Sequence, residues 1–99
     1  MYLVLMDKAL RRIDQARHWM DDEDSLEKHH LLSAAVQIVG ELRSTLDVRA
    51  GGPFAANLDD LCDYMSRQLV AASLQNRVAT LDEVADLMRE VRIAWGMMQ

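Results

Sequence analysis

The chain has 99 residues, 51% of them hydrophobic but only 5% aromatic, and carries a formal charge of −5 from 16 acidic and 11 basic residues. That length supports one core, so residues 1–99 are expected to form a single domain, and the shortage of aromatic and β-branched residues points to an all-α fold. Lys and Arg are scattered among acids, which argues against a nucleic-acid backbone as main partner; the lone Cys62 excludes an internal disulfide. No signal peptide or apolar run of membrane-spanning length stands out, so a reducing cytoplasm without membrane insertion is the expected setting.

Periodicity predicts helices near 2–20, 25–48, 53–75 and 80–97, joined by turns short enough to impose an antiparallel up-and-down four-helix bundle. The first places Leu3, Met6, Leu10, Ile13 and Met20 on one face, and the acidic run Asp21 to Asp24 interrupts it. Asp24 or Ser25 caps the second, whose apolar register runs through Leu32, Ala35, Val39, Leu42 and Leu46. It is expected to stop at Gly51-Gly52, where positive φ is cheap, and Pro53 suits the first turn of the third helix. Phe54, Leu58, Leu61, Met65, Leu69 and Ala72 form that helix's inward stripe. Thr80, with Glu83 three residues on, reads as a capping box for the fourth, whose seam is Leu81, Val84, Met88, Val91, Trp95 and Met98.

The stretch from Glu41 to Met65 carries an ordered motif. Leu42 and Leu46-Asp47 lead into the Gly51-Gly52 hinge, followed by Ala55, Asn57-Leu58, Tyr64-Met65, Arg67 and Leu69. This order resembles the flagellin-specific export chaperones, the FliS-like proteins: L-x-x-x-L-D, a Gly-Gly hinge, A-x-N-L, then Y-x-Y-M. The opening LVLMDKALRRIDQA and the closing EVADLMREVRIAW also resemble the family's first and last helices, so the likeness covers essentially the whole chain. Met6 and Lys8 depart from the Tyr and Gly common in the first-helix motif, Cys62 replaces the first Tyr of the third-helix motif, and Pro53 stands where an acid is usual.

The resemblance implies a cytoplasmic chaperone that binds the disordered C-terminal segment of flagellin, prevents premature polymerisation and delivers its cargo to the flagellar export apparatus. Binding would be helix-in-groove and coupled to folding of the partner, with no turnover and no cofactor. Carried over residue by residue, the hinge and third-helix motif falls on Gly51, Gly52, Asn57, Leu58, Tyr64 and Met65, with Asn57, Leu58 and Tyr64 taken as partner contacts. Asn57 and Tyr64 stand seven apart on one helix face, each with a polar end to offer a peptide backbone. Usual members carry an N-terminal segment that folds over the groove; this sequence opens inside helix one, so a short form lacking that cap is expected, self-associating when free of its partner.

Independently of the resemblance, Leu31, Ala34 and Ile38 form a second apolar strip beside the main register of helix two, wider than one bundle seam needs and suited to a groove. The seven methionines would give such a surface an adaptable lining.

Other chemistries fit less well. Glu27 and His30 have the Glu-x-x-His spacing of a di-iron helix, but no second such pair faces them, and His18, His29, His30 with Asp21 make only a loose surface set. Histidine phosphotransfer domains are also four-helix bundles, yet neither His29 nor His30 is followed by the Lys-Gly pair that would balance a phosphate. No phosphate-binding Gly loop, nucleophile elbow or paired catalytic carboxylate appears, and no enzyme activity is expected. A helical-bundle interaction protein for another exported substrate is the alternative reading.

Overall fold

The computed structural model describes residues 2–98; the side chain of Met98, assigned by its spacing to the last seam, lies outside that description. Four helices follow one another: α1 (Tyr2–Arg17), α2 (Leu26–Ser44), α3 (Val48–Gln75) and α4 (Val78–Met98), with no strand among the described residues. Each helix packs on its neighbour in sequence and α4 closes the ring on α1, with no close backbone approach across either diagonal among the described residues. Polar bridges fix the directions. Advancing along α1 from Asp7 to Arg17 is matched by an equal retreat along α4 from Arg92 to Asp82. Advancing along α2 from His29 to Arg43 is matched likewise along α3 from Ser73 to Asp59. The result is the antiparallel up-and-down bundle, 43 × 21 × 19 Å.

The seams mostly follow the predicted periodicity. Met6, Ile13, Met20, Leu32, Val39, Leu42, Met65, Leu69, Leu81, Val84, Met88, Val91 and Trp95 are all buried. Five of the predicted apolar residues turn outward or to the edge instead: Leu3 and Phe54 are each 42% exposed, and Leu10, Leu46 and Leu61 are half-buried. In α3 the interior positions beside the stripe go to the small Ala55 and Cys62, which let neighbouring helices approach closely. Burial pushes the Cys62 thiol up to about 11, so it packs as a small apolar group. Tyr2 stacks on Trp95 with ring centroids 6.4 Å apart and closes one end of the α1/α4 seam.

Helix ends depart from expectation at three places, each for a local hydrogen-bonding reason. α1 ends at Arg17, not near Met20, and turns through His18–Met20 on bonds from His18, Trp19 and Met20 amides back to residues three earlier. α2 starts as expected at Ser25, whose hydroxyl accepts from the Lys28 amide, but ends at Ser44 and not at the glycines. There the Ser44 and Thr45 hydroxyls bond back to the Glu41 and Leu42 carbonyls, each at 2.7 Å, while Asp47 caps a new turn by accepting from the Ala50 amide. That turn, Val48–Gly51, is the first of α3 and joins the rest of the helix through a kink at Gly52, where φ 62 and ψ −146 fall in a region open to glycine alone. α4 starts at Val78: Asn76 ends α3 in the left-handed conformation, leaving Thr80 inside the first turn and no capping box. Glu83 instead accepts the Tyr64 hydroxyl at 3.0 Å.

Candidate functional site

Between α2 and α3 lies an open groove of about 350 Å³ lined by Leu32, Ser33, Val36 and Gln37 on one side and Leu69, Val70, Ser73 and Leu74 on the other. The two walls share one spacing, the pattern i, i+1, i+4, i+5 that places four side chains along a single helix edge. Leu32 and Leu69 are buried and form the floor; Val36 is half-buried, and Val70 and Leu74 are 48% and 74% exposed along the rim. The depression exists because the facing edge residues are short. Serines at 33 and 73 and valines at 36 and 70 leave the space above the floor unfilled.

Polar bridges bracket this groove. At one end His29 Nδ1 and Ser73 Oγ share a hydrogen bond of 2.6 Å. At the other, Arg43 donates to Asp59 from Nε at 2.7 Å and reaches Asp63 at 3.4 Å, while Asp63 also pairs with Arg67. The Arg43 guanidinium holds the Asp59 carboxyl below the usual carboxylate range. The lining runs from Leu32 to Gln37 on α2 and from Leu69 to Leu74 on α3, about 8 Å of each helix at 1.5 Å per residue.

The residues singled out from sequence fall in three places. Leu31, Ala34 and Ile38 share one edge of α2, but at 100° per residue it is the edge opposite Ser33, Val36 and Gln37. Because α2 packs only on α1 and α3, that strip faces α1, with Ile38 buried and Leu31 and Ala34 half-buried. Asn57, exposed, and Tyr64, half-buried, share the edge of α3 that faces α4, where Glu83 accepts the Tyr64 hydroxyl and raises its pKa. Leu58 is in the core at 1% exposure. The structure thus brings the three α2 residues together, and separately Asn57 with Tyr64, but does not join the two sets. The α2/α3 groove was missed from sequence, although Val70 and Leu74 stand outside the α3 stripe and signal an apolar edge.

Two of the three histidines make a hydrogen bond within the bundle, His29 to Ser73 across helices and His18 within α1 and its following turn. His18 donates from Nδ1 to the Asp14 carbonyl at 2.9 Å, and among the described residues no three of His, Cys, Asp and Glu converge on a metal-sized site. No described helix is long and apolar enough to cross a membrane.

An antiparallel four-helix bundle with an open, largely apolar groove between two of its helices offers the kind of surface that a partner helix can dock on. The family described as "Flagellar protein FliS" matches residues 1–99. The flagellar secretion chaperone FliSB of Pseudomonas aeruginosa is 44% identical over 92 residues, covering 93% of this chain and 73% of that protein. The flagellar secretion chaperones FliS of Vibrio cholerae and Salmonella typhimurium are each 36% identical, covering 93% of this chain and 68% and 69% of theirs. The chain belongs to the FliS family of flagellar secretion chaperones.

Proposed function

We propose that this chain is a cytoplasmic export chaperone that holds the C-terminal helical segment of flagellin in the α2/α3 groove until it is handed to the flagellar export apparatus. The observation that carries this reading is the apolar groove with polar brackets at both ends, in a chain whose relatives are named flagellar secretion chaperones. A disordered segment that folds on docking must bury enough apolar surface to offset its own ordering. Leu32, Val36, Leu69, Val70 and Leu74 supply that surface. The free segment would otherwise assemble early, and covering its apolar face blocks that contact.

Leu31 and Ala34 on the α1-facing edge, and Asn57 and Tyr64 on the α4-facing edge, serve as secondary contacts for a segment that continues around the bundle. Ile38 and Leu58 back them from the core. Titrating the folded chain with a peptide from the C-terminal end of flagellin tests the reading. The peptide is expected to gain helicity by circular dichroism and to bind with a negative heat-capacity change by calorimetry. No binding at high micromolar peptide, with the bundle intact, overturns it; saturable binding of a different exported helical segment under the same conditions transfers the groove to that substrate.

A further inference from the structure

We propose that Lys28 is a positioning residue that clasps the two turns at one pole of the bundle and thereby fixes the end wall of the α2/α3 groove. The groove's use by a flagellin segment rests on the function proposed above; the clasp itself does not.

Lys28 is 0% exposed, and the only other polar or charged residue buried with it among the described residues is Ser25, the cap of its own helix. Its ammonium donates to the Asn76 side-chain carbonyl, on the α3–α4 turn, and to the main-chain carbonyl of Glu23, 3.4 Å away on the α1–α2 turn. Both acceptors are formally neutral. Removing an ammonium from water for two neutral oxygens is costly, and a methionine of similar length would fill the same space without that cost. The surrounding sequence is acidic. Asp21, Asp22, Glu23, Asp24 and Glu27 flank it in sequence, and without these five the sixteen acids would equal the eleven bases, so they account for the whole net charge of −5.

What the buried cation achieves is geometric. Asn76 is the left-handed residue that ends α3, and the last turn of α3 carries Ser73 and Leu74, the wall of the groove at this pole. The next residue on α2, His29, bonds Ser73. Lys28 and His29 together therefore hold the end of α3 at two points, one inside the bundle and one at its surface. An end wall held in advance spares a partner the cost of ordering it.

Lys28→Met in the full chain separates positioning from packing. It is expected to leave the denaturation midpoint unchanged or raised, because an apolar side chain replaces a buried ion. Amide hydrogen exchange across residues 73–78 is expected to quicken by about tenfold, and the flagellin C-terminal peptide to bind about tenfold more weakly. Asn76→Gly, which keeps the left-handed backbone accessible and removes only the acceptor, is expected to quicken the same amides, and the double variant to add little beyond either single one. Unchanged exchange at 73–78 in both single variants, or strictly additive effects in the double, overturns the clasp. Should Lys28→Met fail to fold, exchange in Asn76→Gly decides alone. Should the peptide bind neither wild type nor variant, the function proposed above fails while the exchange result still decides the clasp.

Discussion

The α2/α3 and α1/α4 grooves lie on opposite faces of the same ring of helices and are of similar size, about 350 and 420 Å³, yet their chemistry differs. The α1/α4 groove has a floor of Leu10, Ile13 and Ala85 but a rim of Asp14, Arg17, Asp82, Asp86 and Arg89. Arg17 donates to Asp82 from Nε at 2.7 Å, Arg89 pairs with Asp86, and Arg92 pairs with Asp7 farther along. Those pairs span or edge the seam and are already matched to one another. The lining of the α2/α3 groove carries no charged residue: above its floor stand Val36, Val70 and Leu74 with the neutral Ser33, Gln37 and Ser73. Volume alone would not separate the two; the difference lies in whether the rim has partners within the chain.

The floors should prove alike and the rims unlike. Leu69→Ala beneath one groove and Ile13→Ala beneath the other should each cost about 2–5 kcal/mol in chemical denaturation, because both side chains are buried and neither site can collapse freely. A loss below about 1 kcal/mol at either position would show that its floor is not packed. At the rims the comparison should break. Val70→Asp, at a half-exposed position, should leave the bundle folded but weaken flagellin-peptide binding at least tenfold, about 1.4 kcal/mol, whereas Arg89→Asp on the α1/α4 rim should change it by less than about twofold. The reverse pattern by calorimetry would move the docking surface to α1/α4.

The fold was far more legible than this contrast. Spacings of three and four residues through Leu81, Val84, Met88, Val91 and Trp95 identify a buried stripe from sequence alone, because an interior face must be apolar whatever packs on it. Helix ends were less legible, since Asp47 and Asn76 act through backbone conformations that periodicity does not register. The site was least legible. Periodicity found the width of the apolar arc on α2 but not which neighbour covers each edge: Leu31, Ala34 and Ile38 widen it toward α1, while Val36 widens it toward α3. Bundle handedness decides between those edges, and no run of residues on one helix encodes it. The family resemblance located the third-helix motif, yet Leu58 of that motif is a core residue and Tyr64 is bonded to α4.

The smallest expected effect sharpens the comparison through acid. Arg43 holds the Asp59 carboxyl below its ordinary pKa beside the α2/α3 groove, and Arg17 does the same for Asp82 beside α1/α4, in each case chiefly through the side-chain hydrogen bond. A carboxyl with a folded pKa below its unfolded value binds fewer protons in the native state, so its stabilising contribution is present above the unfolded pKa, about 3.9, and is lost as pH falls through the folded value. Both pairs stand in solvent, so screening keeps the effect small and added salt should shrink it. The two sides should still differ. Arg43 retains Asp63 at 3.4 Å when Asp59 is removed, whereas Arg17 keeps no second hydrogen-bonded carboxylate among the described contacts, only the longer-range charge of Asp14. Asp82→Asn should therefore flatten the acid limb of a urea-midpoint profile more than Asp59→Asn. Equal, unchanged acid limbs in both variants would mean that these bridges add nothing to folding, and the contrast between the grooves would then rest on the apolar rim of α2/α3 alone.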